Sequence, residues 1–183
     1  MNLVIHPHDP TTTFLKSIYE KVEDRTVADN GYTPDKLRRF IAKSDRILAM
    51  GHGSRNGLFG INLFSVNDRF YSFAISNRDI ELLKGKDQNV YIWCYADQFV
   101  TENDLKGFYS GMFISEVHEA HFCGLRSITR KMVEESNKVF SEVVGEHINR
   151  SKEDIYDNVR EAYGQLAKTN PVAAYNLMRL CVR

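Results

Sequence analysis

At 183 residues, with 43% hydrophobic and 26% charged side chains, the chain is long enough for one domain that buries a core without disulfide or metal staples. Its 24 lysines and arginines balance 24 aspartates and glutamates, so no bulk field directs it to nucleic acid or to an anionic membrane. Three widely spaced cysteines, Cys94, Cys123 and Cys181, form no CxxC pair and indicate neither a disulfide framework nor a structural zinc site.

The opening "MNLVIHPHDP" has no basic segment and too short an apolar run for a signal peptide. No stretch approaches the ~18 apolar residues of a membrane span, and a reducing cytoplasm is the expected compartment. "NLVI" (2–5) reads as a first strand, broken by "HPHDP", after which Thr11 to Thr13 cap a helix through "FLKSIYEKV". "RTVADN" (25–30) is a weak second strand, and Thr33-Pro34 opens a helix carrying Leu37, Phe40 and Ile41. "RILAM" (46–50) is a third strand. "INLFSV" and "RFYSFAI" form an expected hairpin about Asn67-Asp68. "NRDIELLKG" is a short helix stopped by Gly85, and "NVYIW" (89–93) and "FYSGMFIS" (108–115) are further strands.

Beyond them the period turns helical over 129–148, over 152–168 after Ser151, and from Asn170-Pro171 through Leu180. Alternation of strands and helices predicts an α/β fold, a mostly parallel sheet flanked by helices. With no repeat or linker, 1–183 is one domain, comprising a sheet-bearing core (1–125) and a helical remainder (126–183).

In open α/β sheets functional groups gather at the carboxyl ends of parallel strands. Here "RILAM" runs into Gly51-His52-Gly53, and "NVYIW" ends at Cys94, 42 positions after His52. If the strands are parallel neighbours, thiol and imidazole emerge on one rim. A thiolate can then attack a carbonyl while the imidazole protonates the leaving amine. Gly53, lacking a Cβ, lets its N–H approach a substrate and join the N–H of Cys94 as an oxyanion hole, where one donor contributes ~3 kcal/mol. The plainer reading is a small buried hydrophobe and a turn histidine.

The two blocks "ILAMGHGS" and "VYIWCYAD", an apolar strand ending in His-Gly and another ending in Cys, resemble the caspase-like cysteine peptidases of clan CD. That group includes caspases, metacaspases, gingipains, legumain, separase and bacterial CHAT-type peptidases. The likeness covers roughly 1–125 and takes in the intervening hairpin and the strand after the cysteine. It implies a cysteine endopeptidase with a His52–Cys94 dyad, needing no third member, no metal and no cofactor. It further implies a peptide or protein substrate and an activating partner or ligand. The chain departs from the pattern in Trp93, where many members carry a small residue, and in Tyr95-Ala96-Asp97, where others carry a Ser/Gly-rich turn. Members commonly read a charged residue before the scissile bond. Asp97 or Glu116 would favour a basic one and Arg55 an acidic one.

Other constellations compete. "SEVHEAHFCG" (115–124) offers Glu116, His118, Glu119, His121 and Cys123 to a metal-dependent hydrolase, without the HExxH spacing. "HPHDP" (6–10) is expected to border the same cleft. "GHGSRNGLFG" fails as a phosphate cradle, having neither GxGxxG nor a P-loop lysine. A non-catalytic sensing or interaction module of the same fold is the main alternative, with Phe70, Tyr71, Phe73, Phe108 and Tyr109 as interface candidates.

Overall fold

The computed structural model describes residues 1–64 and 72–183. The expected Asn67-Asp68 turn, Phe70 and Tyr71 lie outside the described residues. Strands β1 (Asn2–Ile5), β2 (Arg25–Ala28) and β3 (Arg46–Met50) pair in parallel, with β1 in the middle. A small antiparallel sheet follows: β4 (Gly53–Ser54), β5 (Gly57–Phe59) and β6 (Phe73–Ser76). The main sheet then continues through β7 (Val90–Ile92) and β8 (Phe108–Ser110), both parallel, to β9 (Leu180–Val182), which is antiparallel. Its order is β2-β1-β3-β7-β8-β9.

Continuous apolar runs such as Leu3-Val4-Ile5 suit a sheet covered on both faces, because alternate side chains enter two different cores. Leu3, Ile5, Ile47, Ala49, Tyr91 and Trp93 enter one. Helices α2 (Pro34–Lys43), α3 (Ile80–Leu83) and α4 (Ala96–Glu102) close it with Leu37, Ile41, Leu83 and Phe99. Val4, Leu48, Met50, Val90, Ile92 and Phe108 enter the other. There a 3-10 turn at Pro10–Leu15, α1 (Lys16–Tyr19), α6 (Arg130–His147), α7 (Lys152–Ala167) and α8 (Pro171–Leu177) supply Leu15, Ile18, Phe140, Val144, Ile155, Tyr163 and Ala173. A short α5 (Val117–Phe122) precedes α6. The caps follow the sequence signals. Thr33 Oγ1 accepts from Lys36 N at 3.2 Å, Ser151 Oγ from Asp154 N at 3.1 Å, and Asn170 Oδ1 from Val172 N at 3.0 Å.

Four expectations are corrected. The helix from Thr11 through "FLKSIYEKV" is a 3-10 turn and a single α turn, capped by Asp9 rather than a threonine, because three successive β-branched residues favour the short form. "FYSGMFIS" stops as a strand at Ser110, where Gly111 N turns to Arg179 O at 2.7 Å. Leu180 belongs to β9 and not to the last helix: it pairs with Ser110 across the edge of β8. The antiparallel pairings that follow His52 are β4–β5 and β5–β6, and the described part of "INLFSV" is a turn at 61–63 with a single parallel bridge from Phe64 to Tyr32. Of the aromatic interface candidates, Phe108 and Tyr109 are buried and Phe73 packs against Phe59, ring centroids 5.5 Å apart. No described helix is long and apolar enough to cross a membrane.

Candidate functional site

β3 and β7 are parallel neighbours in the register Leu48↔Val90, Ala49↔Tyr91, Met50↔Ile92. His52 and Cys94 follow Met50 and Ile92 by two residues each, so they keep the same pairing offset. By the two-residue alternation of strands, both lie on the face that Met50 and Ile92 share. Gly51 N donates to Ile92 O at 3.0 Å and carries the ladder one step further. Both side chains then line one narrow cleft of about 20 Å³, room for a single water. Thr12, Phe14, Leu15, Phe113 and Ser115 line it too, with Gly51, Ile92 and Trp93 from the two strand ends.

His52 is half-buried beside the "HPHDP" segment, none of whose residues lines the cleft itself. Its Nε2 lies 2.7 Å from Thr11 Oγ1 and 4.0 Å from Asp9 Oδ2. Asp9 Oδ1 accepts from Thr11 N at 2.8 Å and from Thr11 Oγ1 at 2.6 Å. Burial works against ionisation of Asp9, but the Thr11 hydroxyl and N–H and the nearby His52 ring outweigh it and hold the carboxyl below its ordinary range.

Under this turn, His6 is buried with Nδ1 3.0 Å from Tyr19 Oη and Nε2 3.0 Å from Thr12 Oγ1. Burial, with Lys16 adding to it, lowers its pKa from 6.5 to about 4. The unfolded chain therefore takes up this proton first as the pH falls. The stabilisation is complete above pH 6.5 and is lost as the pH falls through 4, amounting to about 3 kcal/mol. Urea unfolding between pH 7 and pH 4 should show that loss, and a His6→Gln variant should lack it. Equal slopes for the two proteins would refute the assignment.

Cys94 closes β7 and stands before Tyr95, whose φ of 66° is left-handed and turns the chain into α4. The thiol donates to Phe113 O at 3.4 Å. Burial pushes its pKa up to about 12, so at neutral pH it is a resting thiol and not a thiolate. Trp93, one residue earlier, also lines the cleft, while its ring lies edge-on to Tyr91 and Phe99 at 5.6 Å each in the opposite core.

The glycine at position 53 has a packing cause that the sequence does not reveal. A Cβ there would stand 2.3 Å from Trp93 Cδ1. Its N–H remains directed away from β5. Phe59 N bonds His52 O at 2.9 Å, which makes Gly53↔Leu58 a non-hydrogen-bonded pair.

The remaining sequence candidates are dispersed. Arg55 sits in the β4–β5 turn, paired with Glu102 Oε1 at 3.0 Å, and does not line the cleft. Asp97 lies in the first turn of α4 against Gly111, outside the cleft lining. Glu116 lines a larger cavity of about 770 Å³ between the 3-10 turn, α5 and α6, which shares Phe14 and Ser115 with the cleft. Ligand atoms of Glu116, His118 and Glu119 lie within 4.8 Å of one another, and His121 and Cys123 are not of that group. Glu119 Oε2 already accepts from Ser115 N, Ser115 Oγ and Glu116 N at 2.7, 3.0 and 3.0 Å, so the cluster is explained as the start of α5.

No family model and no curated protein matches the chain. A solved structure of the Salmonella typhimurium RcsB response regulator, described for conformational dynamism in DNA interaction, is similar at TM-score 0.34 and 14% identity over 97% of each chain. A likeness that weak bears on neither fold nor function.

Proposed function

We propose that the chain is a caspase-like cysteine endopeptidase of clan CD type, acting in a reducing cytoplasm on a peptide or protein substrate through His52 and Cys94. The observation that carries this reading is the shared offset and shared cleft of the two side chains at the carboxyl ends of adjacent parallel strands. In the reaction the Cys94 proton passes to His52 as Sγ bonds to the scissile carbonyl carbon. The N–H groups of Gly53 and Cys94 receive the carbonyl oxygen as it becomes an oxyanion. The carbon–nitrogen bond then breaks, and His52 returns the proton to the leaving amine. Water, deprotonated by His52, hydrolyses the thioester and restores the thiol. Because the resting thiol is bound to Phe113 O in a cleft with room for one water, substrate or an activating ligand must displace the Phe113 segment first.

The decisive experiment is a fluorogenic peptide panel varying the residue before the cut, run on the natural chain and on Cys94→Ala together. Cleavage should disappear in the variant while its unfolding free energy stays within about 1 kcal/mol of the parent, a buried thiol being a small hydrophobe. Equal cleavage by both proteins refutes the reading. The burial of the thiol favours one alternative, a non-catalytic sensing or interaction module of the same fold. Failure of thiol-directed peptide probes to label Cys94 at any pH from 6 to 9 would select it.

A further inference from the structure

Building on the reading of His52 and Cys94 as a catalytic pair, we propose that Thr11 and Asp9 are positioning residues that fix the His52 ring in one tautomer, leaving Nδ1 as the nitrogen that exchanges a proton with Cys94. The hydrogens follow from what each group can do. An ionised carboxylate only accepts, so the 2.6 Å contact between Thr11 Oγ1 and Asp9 Oδ1 takes the one hydrogen that the hydroxyl owns. Thr11 Oγ1 is also 2.7 Å from His52 Nε2, and with its hydrogen committed it can only accept there. Nε2 therefore carries the ring hydrogen, and in the neutral imidazole the lone pair belongs to Nδ1.

The same two groups remain in reach of the ring through the proton transfer. When Nδ1 takes the thiol proton, the imidazolium keeps its Nε2–H on Thr11 and has Asp9 Oδ2 at 4.0 Å. Thr11 is itself held. Its N–H donates to Asp9 Oδ1 at 2.8 Å, and Pro10 between them restricts the backbone of the 3-10 turn. The three-residue span Asp9-Pro10-Thr11 thus forms a rigid bracket that lies 41 positions from His52 in the chain and touches it in space.

The test uses the full chain and reads the ring directly. Nitrogen-15 correlation spectra of His52 should show a protonated Nε2 and a bare Nδ1 in the natural protein. Thr11→Val, which keeps the shape and removes the hydroxyl, should move the ring toward a mixture of tautomers, and Thr11→Ser should restore it. In peptide cleavage kcat should fall about tenfold to a hundredfold in Thr11→Val, within the range that acid–base catalysis contributes, with KM changed less than about twofold. A ring spectrum or a kcat that is the same in Thr11→Val as in the parent overturns the positioning role. Cleavage that survives Cys94→Ala overturns the dyad instead, so the two ideas fail by different measurements.

Discussion

Gly53→Ala is expected to destabilise the fold by more than about 4 kcal/mol, a size reserved for clashes that the surroundings cannot absorb. The new Cβ would stand 2.3 Å from Trp93 Cδ1, 2.6 Å from Trp93 Cγ and 2.7 Å from Gly57 O. None of these can retreat cheaply. Trp93 is 1% exposed, wedged between Tyr91 and Phe99, and its Nε1 donates to Ser54 O at 3.1 Å. Gly57 is fixed in turn by a φ of 134° and by Ile75 O, which a Cβ would meet at 1.9 Å. Urea unfolding checks the loss. The double variant Gly53→Ala/Trp93→Leu should be more stable than the sum of its single changes, because removing the indole removes the two shortest of the three contacts. Additive behaviour, or a loss in Gly53→Ala below about 1 kcal/mol, would show that the indole does not set this position.

Asn176→Ala should cost about 4 kcal/mol and make Cys94 reactive. Asn176 is fully buried, accepts from Ile114 N at 2.8 Å and donates to Ile114 O at 2.9 Å, so its amide replaces a strand partner for that residue. Alanine would leave two buried backbone groups unpaired, at roughly 1–3 kcal/mol each. Phe113, whose carbonyl holds the Cys94 thiol, is the neighbour of Ile114 and would be released with it. Every ~1.4 kcal/mol of local stability lost multiplies the open population tenfold. Labelling by a small thiol reagent under native conditions should therefore accelerate at Cys94 more than at Cys181, which packs on the other face of the sheet. Equal acceleration at both cysteines would mean global loosening, and the local account would fall.

Much of the site could be read in advance because its main determinants are local. The runs Ile47-Leu48-Ala49-Met50 and Val90-Tyr91-Ile92 announce buried strands, and His52 and Cys94, two residues beyond them, line one cleft. The bracket of Asp9 and Thr11 was hidden. It comes from β1 lying beside β3, a tertiary neighbour that "HPHDP" does not encode, although an aspartate before a proline is a fair cap signal. The packing cause of Gly53 is hidden for a related reason. A free backbone N–H is visible from the residue type, but an indole arriving from another strand is not. β9 spans three residues, too few for a period, and only its pairing with β8 identifies it. The resting state of Cys94 was the least accessible, since it depends on a carbonyl 19 positions downstream.

That carbonyl is held from far along the chain. Asn137 in α6 donates to Ser115 O at 2.9 Å, and Asn176 in α8 grips Ile114. A polypeptide emerging from the ribosome completes both strands that lead into the cleft before either asparagine has left the exit tunnel. During that interval the segment that carries Phe113 lacks both anchors. The cover over the Cys94 sulfur is thus anchored in full only once the last helix has emerged.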